Sequence, residues 1–166
     1  RQHRSDQPCP DIEKRRFGGR RIVDCEERLD PDRSMLGRRQ ERWLHRQLRY
    51  ARTRWRVIAQ PQMMAELDQN TGEDGRDVRW SDAWDGYAAT RTRLLNAIQK
   101  RRIENVVVLS GDIHQNWVND LKLDNEEEAA AVLATEFVGT SVTSKSSRWA
   151  ERYLARNPHV RFHAWR

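Results

Sequence analysis

The fold class of this 166-residue chain is decided by the stretch Asn105-Val106-Val107-Val108-Leu109-Ser110-Gly111-Asp112. Its continuous β-branched run is typical of a strand buried on both faces of a sheet. Residues 88–102 precede this strand and predict a helix, with Leu94, Leu95 and Ile98 as its apolar stripe. A helix that leads directly into a buried strand indicates an α/β fold.

Helices and strands alternate through the rest of the chain. Ser34 predicts the N-cap of an amphipathic helix that ends near Thr53. Further elements are predicted as a strand at 55–59, a strand at 131–138, a helix at 145–156 and a strand at 160–163. Residues 5–33 are rich in Asp, Pro, Gly and Arg and predict a long irregular loop.

The seven tryptophans argue against a fully disordered chain. Trp43, Trp55 and Trp149 lie at spacings that predict packing in the core. Trp84 and Trp117 flank polar motifs, and we expect them to line a functional site and exclude water from it. For Trp84 the alternative is that it anchors a loop. No apolar run approaches the roughly 20 residues that a membrane span needs, which excludes a transmembrane protein.

The positive charge of the chain lies in its first third. Of the 31 basic residues 27 are arginine, and residues 1–56 hold 17 basic and 9 acidic groups. Such an excess attracts phosphates, either in nucleic acid or in a smaller substrate, and the alternative is a solvated arginine-rich surface. In this stretch aromatic residues do not alternate with basic ones, and no known binding motif occurs, so the charge alone does not specify nucleic-acid binding.

The residues that could carry chemistry follow the buried strand directly, in the motif Gly111-Asp112-Ile113-His114. Ligands of open α/β sheets bind beyond the carboxyl ends of the strands. In extended backbone Asp112 and His114 point the same way, and a carboxylate beside an imidazole suits two metal ions. Gly111 is expected to let the chain turn without crowding the ions. A capped turn without metal is the alternative.

Five blocks of sequence occur in the order that they have in one enzyme family. They are residues 1–8 (Arg-Gln-His-Arg-Ser-Asp-Gln-Pro), 29–44, 82–87 (Asp-Ala-Trp-Asp-Gly-Tyr), 111–121 and 135–141 (Thr-Glu-Phe-Val-Gly-Thr-Ser). In these blocks the chain resembles the PhoD-like alkaline phosphatases of the calcineurin-like metallophosphoesterase superfamily. His3 stands where that family usually has Tyr.

The resemblance implies an enzyme that hydrolyses phosphomonoesters and phosphodiesters with two or more metal ions, iron and calcium in the best-known members. In that reaction a metal-bound hydroxide attacks phosphorus while the cations hold the phosphate oxygens. The resemblance implies that Asp112 and His114 are catalytic metal ligands and that Arg1 and Arg4 bind the substrate. A structural salt-bridge role for the two arginines stays open.

The same resemblance implies that the chain is the C-terminal half of a four-layer α/β/β/α sandwich. Residues 1–166 are then a partial domain, truncated at both ends, and the remaining metal ligands of the family lie upstream of Arg1. We therefore expect the chain alone to be inactive. An arginine-rich nucleic-acid-binding module without catalysis is the alternative function, and a non-functional remnant is the third.

Both cysteines, Cys9 and Cys25, lie within the loop predicted at 5–33. The resemblance implies a periplasmic or secreted protein, in which the two cysteines would form a disulfide that contributes about 3 kcal/mol. In a cytosolic protein they would be two free thiols.

Overall fold

The structure is a computed structural model that describes residues 21–146 and 148–165, without the side chain of Trp149. The described α-helices are α1 (Arg38–Tyr50) and α2 (Ala88–Lys100), and 3-10 helices occupy Glu26–Leu29, Trp84–Tyr87 and Arg148–Arg156. The described strands are β1 (Arg21–Val23), β2 (Arg56–Gln62), β3 (Val78–Trp80), β4 (Val106–Gly111), β5 (Asn116–Leu121), β6 (Ala134–Val138) and β7 (Val160–Ala164).

Five of the strands form one mixed sheet in the order β2-β4-β6-β5-β7. The strands β2, β4 and β6 are parallel, whereas β5 pairs antiparallel with both β6 and β7. The strands β1 and β3 form a separate two-stranded antiparallel ribbon. The predicted α/β class is confirmed, because helix α2 leads into β4 at the centre of the parallel half.

Helix α2 buries the apolar stripe that its sequence predicts. Leu94, Leu95 and Ile98 are each 2% exposed or less, and they share one core with Val106 and Val108 of β4. Burying each of these side chains contributes about 1.5–3 kcal/mol. This packing fixes β4, and with it the loop that follows β4, against the helix.

Helix α1 begins later than predicted. The hydroxyl of Ser34 accepts a hydrogen bond of 2.7 Å from the backbone N–H of Gly37, which closes a turn before the helix. Gly37 has φ +77°, a conformation that glycine adopts without strain, and α1 follows from Arg38. The helix ends at Tyr50 because Ala51 is already extended. The prediction of Ser34 as the N-cap was wrong.

One face of the five-stranded sheet is open. Strand β4 was predicted to be buried on both faces, but only Val106 and Val108 are buried, whereas Leu109 is 44% exposed. The strand register aligns Leu109 with Phe137 of β6, and Phe162 of β7 is exposed on the same face. The β-branched run of β4 therefore has helix packing on one side and an uncovered apolar surface on the other.

Two of the core tryptophan predictions were wrong. Trp43 is 51% exposed and Trp55 is 58% exposed. In α1 the buried side is formed by Leu44 and Leu48, so Trp43 lies one residue away from the inward-facing arc. Trp55 precedes β2, where Ile58 is the buried residue. The side chain of Trp149 lies outside the described part of the structure.

Several elements differ from their predicted extent. The second part of the loop predicted at 5–33 contains β1 and a 3-10 helix, and residues 5–20 lie outside the described residues. The helix predicted at 145–156 is a 3-10 helix, and the strand predicted at 131–138 begins at Ala134. None of the helices in the described part of the chain is long and apolar enough to cross a membrane.

Candidate active site at the carboxyl end of β4

The motif predicted to bind metal lies in a bend directly after β4. Asp112 and His114 are both exposed, and they adopt φ +70° and φ +58°. The two side chains are therefore not on extended backbone, and the geometric reason given above for their common direction was wrong. Gly111 has no positive φ, and an added Cβ would make only ordinary contacts there, so the turn is made by Asp112 and His114 themselves.

Left-handed backbone at two residues that are not glycine is uncommon and costs about 1–2 kcal/mol for each residue. Such conformations persist only when the surrounding structure imposes them, and they cluster at functional sites. Positive φ also occurs outside this bend, at Asp24, Arg102 and Asn105, so the angles at Asp112 and His114 show that the surroundings impose the bend and do not by themselves show a function.

A cavity of about 490 Å³ opens beside Asp112. Its lining comes from the bend after β4, from the segment after β2 and from the residues that follow β3. The residues that line it are Arg21, Gln62, Met63, Ala65, Leu67, Gln69, Trp80, Asp82, Ala83, Asp85, Gly111, Asp112 and Ile113. The volume is within the range of small-molecule sites. Asp112 therefore borders a space that can hold a ligand, whereas His114 is not part of its lining.

The candidate metal ligands at this bend are two, Asp112 and His114. An exposed carboxylate and an exposed imidazole are donor types that fit metal ions. Within residues 21–146 and 148–165, however, no group of three His, Cys, Asp or Glu side chains is arranged to hold a metal. The donor types fit a metal centre, while their number supplies at most a part of one.

The buried carboxylate of Glu136 holds the two segments that border the cavity. Oε1 accepts hydrogen bonds from the backbone N–H of Met64 at 2.6 Å and from the hydroxyl of Ser110 at 2.5 Å. Oε2 accepts from the N–H of Ala65 at 2.9 Å and from the side-chain amide of Asn119 at 3.1 Å. Complete burial raises the pKa of Glu136, and these donors oppose that shift. Ser110 lies two residues before Asp112, so this carboxylate anchors the base of the bend.

Buried ion pairs fix the opposite wall of the cavity. The guanidinium of Arg91 lies 2.9 Å from a carboxylate oxygen of Glu66 and 3.3 Å from one of Asp85. The other oxygen of Asp85 accepts from the N–H of Leu67 at 3.1 Å. Burial raises the pKa of Asp85 to about 6, against the attraction of Arg91. Burial alone would raise the pKa of Glu66 as well. The positive charges of the neighbouring arginines outweigh this effect and lower the pKa of Glu66 to about 2.

The tryptophans expected to wall the site do not line the cavity. The ring N–H of Trp84 donates to the side-chain oxygen of Gln60 at 3.0 Å, so that this residue is a loop anchor. Trp117 packs against His163, with ring centroids 4.4 Å apart. Trp80, which the sequence did not single out, lines the cavity instead.

Three of the residues singled out above, Arg1, Arg4 and Cys9, lie outside the described residues, so the roles of the two arginines stay predictions. Cys25 is 5% exposed and forms a disulfide bond. Because Cys9 is not described, its pairing with Cys25 also stays a prediction.

Sequence reasoning missed the buried charges that hold the site. Glu136 and Asp85 both lie in blocks that were quoted for the family resemblance, but they were not singled out. The available signal was an acidic residue at a position that the strand period assigns to the core, as in Ala134-Thr135-Glu136-Phe137-Val138. Buried carboxylates of this kind are satisfied by hydrogen bonds, which a sequence does not display.

The fold and the bend together define an α/β protein with a candidate ligand site at the carboxyl end of a central strand. The family model described as PhoD-like phosphatase matches residues 1–164. The chain is 36% identical over 167 aligned positions to alkaline phosphatase D of Bacillus subtilis (strain 168), covering 98% of this chain and 27% of the relative. A solved structure of PhoD is 34% identical, with a TM-score of 0.84 over 98% of this chain and 30% of that chain.

This chain belongs to the PhoD-like phosphatase family, as its motifs predict. It spans about a quarter of the length of its curated relative. Membership supports a phosphoesterase function.

Proposed function

We propose that this chain is part of a metal-dependent phosphoesterase that hydrolyses phosphomonoesters and phosphodiesters. The observation that carries the proposal is the exposed, left-handed Asp112 at the carboxyl end of β4, on the border of the cavity. Family membership supports the reaction class. The carboxylate of Asp112 and the imidazole of His114 are the donors that this chain would contribute to a metal centre.

The other ligands of that centre would come from outside the described residues. Bound metal ions, iron and calcium by family resemblance, would supply Lewis acidity and a water of lowered pKa. The apolar part of the cavity, with Met63, Leu67 and Trp80, would take the organic group of the ester and exclude water. Arg21 contributes positive charge to the lining, and Arg1 and Arg4 remain the proposed phosphate ligands.

The activity of the whole enzyme then requires more than this chain. The bend contributes two candidate metal donors and the described residues hold no group of three, which supports the proposal that the isolated chain has no turnover. The open apolar face of the five-stranded sheet supports a sandwich in which a second sheet covers it. The disulfide bond of Cys25 supports an oxidising compartment, hence a periplasmic or secreted protein.

The test compares the intact protein that carries this chain with its Asp112→Ala and Asp124→Ala variants, on an aryl phosphate and on a bis-aryl phosphate. Asp124 is exposed in the turn after β5 and is the matched control. We expect Asp112→Ala to lower kcat/KM on both substrates at least about a hundredfold, since loss of an outer partner alone costs 10–100-fold. Bound metal measured by elemental analysis should fall in parallel.

Full turnover of Asp112→Ala, or equal losses in both variants, would contradict the role of Asp112. Metal-dependent turnover by residues 1–166 alone would contradict the inferred inactivity of the isolated chain.

A further inference from the structure

Helix α1 presents a continuous face of arginine and aromatic side chains to solvent. At 3.6 residues per turn, six exposed residues fall within about 120° of arc. They are Arg39, Arg42, Trp43, Arg46, Arg49 and Tyr50, and we name this set the Arg-aromatic face of α1. On this face Trp43 lies one helical turn from Arg39 and Arg46, and Tyr50 lies one turn from Arg46, an arrangement of rings among basic side chains that the linear sequence did not reveal.

The acidic residues nearest this face pair with arginines outside it, since Asp32 lies 4.0 Å from Arg38 and Glu41 pairs with Arg93. Helix α1 contains one acidic residue, Glu41, which lies off the face and forms an ion pair of 2.5 Å with Arg93. Burial alone would raise the pKa of Glu41, but the hydrogen bond and the charge of Arg93 outweigh this effect, and the pKa is lowered. Glu41 therefore stays ionised in its pair with Arg93. The four arginines of the face form no ion pair within the described part of the chain.

The aromatic rings of the face are exposed within the described part of the chain. Trp43 is 51% exposed and Tyr50 is 64% exposed, and the guanidinium of Arg49 lies 5.0 Å from the centre of the Tyr50 ring. The face borders a groove of about 870 Å³, whose lining also includes Arg93 and Arg101 and the acidic residues Asp32 and Glu41. This groove shares no lining residue with the cavity beside Asp112, so it is a separate surface.

We propose that the Arg-aromatic face of α1 binds single-stranded nucleic acid. Guanidinium groups bind the phosphates of such a strand, and exposed rings stack on its unpaired bases. A duplex hides its base faces, and a chain of phosphates without bases offers nothing to the rings. The proposal goes beyond the phosphoesterase function and does not depend on it, because it requires neither metal nor turnover.

The test measures the anisotropy of a fluorescein-labelled oligothymidylate titrated with the intact protein in chelator, at several salt concentrations. Arg42→Gln, Arg46→Gln and Arg49→Gln are combined in one variant. We expect it to weaken binding and to reduce the slope of log K against log salt by about 2, because each of the three lost phosphate contacts contributes roughly 0.7 to that slope. Trp43→Leu should weaken binding at least about fivefold, the lower range for one stacked base.

A second triple variant removes the same charge elsewhere, by Arg76→Gln, Arg152→Gln and Arg161→Gln, at exposed positions outside the groove. It should bind like the unaltered protein, and thermal unfolding should verify that both triple variants are folded. Absence of binding at 50–100 mM salt would overturn the proposal. Equal losses in the two triple variants, unchanged binding by Trp43→Leu, or equal affinity for a duplex or inorganic polyphosphate would overturn it too.

Discussion

The hydroxyl of Ser110 in β4 donates a hydrogen bond of 2.5 Å to Oε1 of Glu136 in the neighbouring parallel strand β6. This bond joins the end of strand β4, two residues before Asp112, to a carboxylate that also holds the segment after β2. A single buried side chain thereby sets the distance between two walls of the candidate active site. The bend at Asp112 can hold a strained conformation because its base is fixed in this way.

Replacing Glu136 by Gln tests that relationship. The amide retains one accepting oxygen, but its NH₂ group faces donors such as the N–H of Ala65 and the amide of Asn119. Leaving buried donors unpaired costs about 1–3 kcal/mol for each. We expect Glu136→Gln to lower the free energy of unfolding by about 2–4 kcal/mol in urea denaturation.

The matched control for that variant is Glu104→Gln, at an exposed position between α2 and β4. It should change the free energy of unfolding by less than about 0.5 kcal/mol. Ser110→Ala, which removes one of the four donors, should cost less than Glu136→Gln. If Glu136→Gln unfolds at the same urea concentration as Glu104→Gln, the carboxylate does not hold these segments.

The strain in the bend predicts an unusual response to glycine at residue 114. His114 has φ +58°, where alanine is strained and glycine is not. We expect His114→Gly to be more stable than His114→Ala by about 1 kcal/mol in metal-free buffer. Both variants should lose the proposed phosphoesterase activity, because both remove the imidazole, whereas only the glycine variant relieves the strain.

Arg101 supplies the comparison for this pair of variants, because it is exposed at the end of α2 with φ −99°. There Arg101→Ala should be the more stable variant, since glycine brings only added freedom in the unfolded chain. If His114→Ala were also more stable than His114→Gly, His114 would not be held in the left-handed region.

The raised pKa of Asp85 predicts a pH-dependent contribution to stability. Burial raises the pKa of Asp85 in the folded protein to about 6, above the ordinary aspartate value of 3.8. Between these two values the folded state carries more protons than the unfolded state, so this contribution grows as pH falls from 7 to 4.5. Asp85→Asn removes it.

Urea denaturation at intervals of half a pH unit measures this contribution. The unaltered protein should gain stability relative to Asp85→Asn as pH falls from 7 to 4.5. Glu66, whose pKa is lowered to about 2, acts in the opposite direction but below this range, and it is present in both proteins. A difference that stays constant or shrinks with falling pH would contradict the raised pKa.

The α/β class and the position of the candidate site could be predicted because both depend on local pattern. The β-branched run before Gly111 specifies a central strand, and the carboxyl end of such a strand is where ligands bind. The two exposed tryptophans show the limit of this reasoning. Trp43 is one residue from the inward arc of α1, and helical spacing read from apolar residues alone assigns it to the core.

The parts of the site that could not be predicted are those made by contacts distant in sequence. Glu136 meets Met64 across 72 positions, and Arg91 meets Glu66 from another element. The backbone angles at Asp112 and His114 are likewise imposed by the surroundings, because neither residue type prefers the left-handed region as glycine does. These are the features that tertiary packing, not local propensity, determines.

The open face of the five-stranded sheet predicts that two similarly exposed leucines will behave differently in the intact protein. Leu109 in β4 is 44% exposed on this face, and Leu123 after β5 is 39% exposed. If a second sheet covers the face, as proposed, Leu109→Ala should lower the free energy of unfolding by about 2–5 kcal/mol, the cost at a buried position. Leu123→Ala should cost less than about 1 kcal/mol, the usual range for surface substitutions. Equal small losses, measured by urea denaturation of the intact protein, would mean that the sheet face is exposed to solvent and that the sandwich is not formed there.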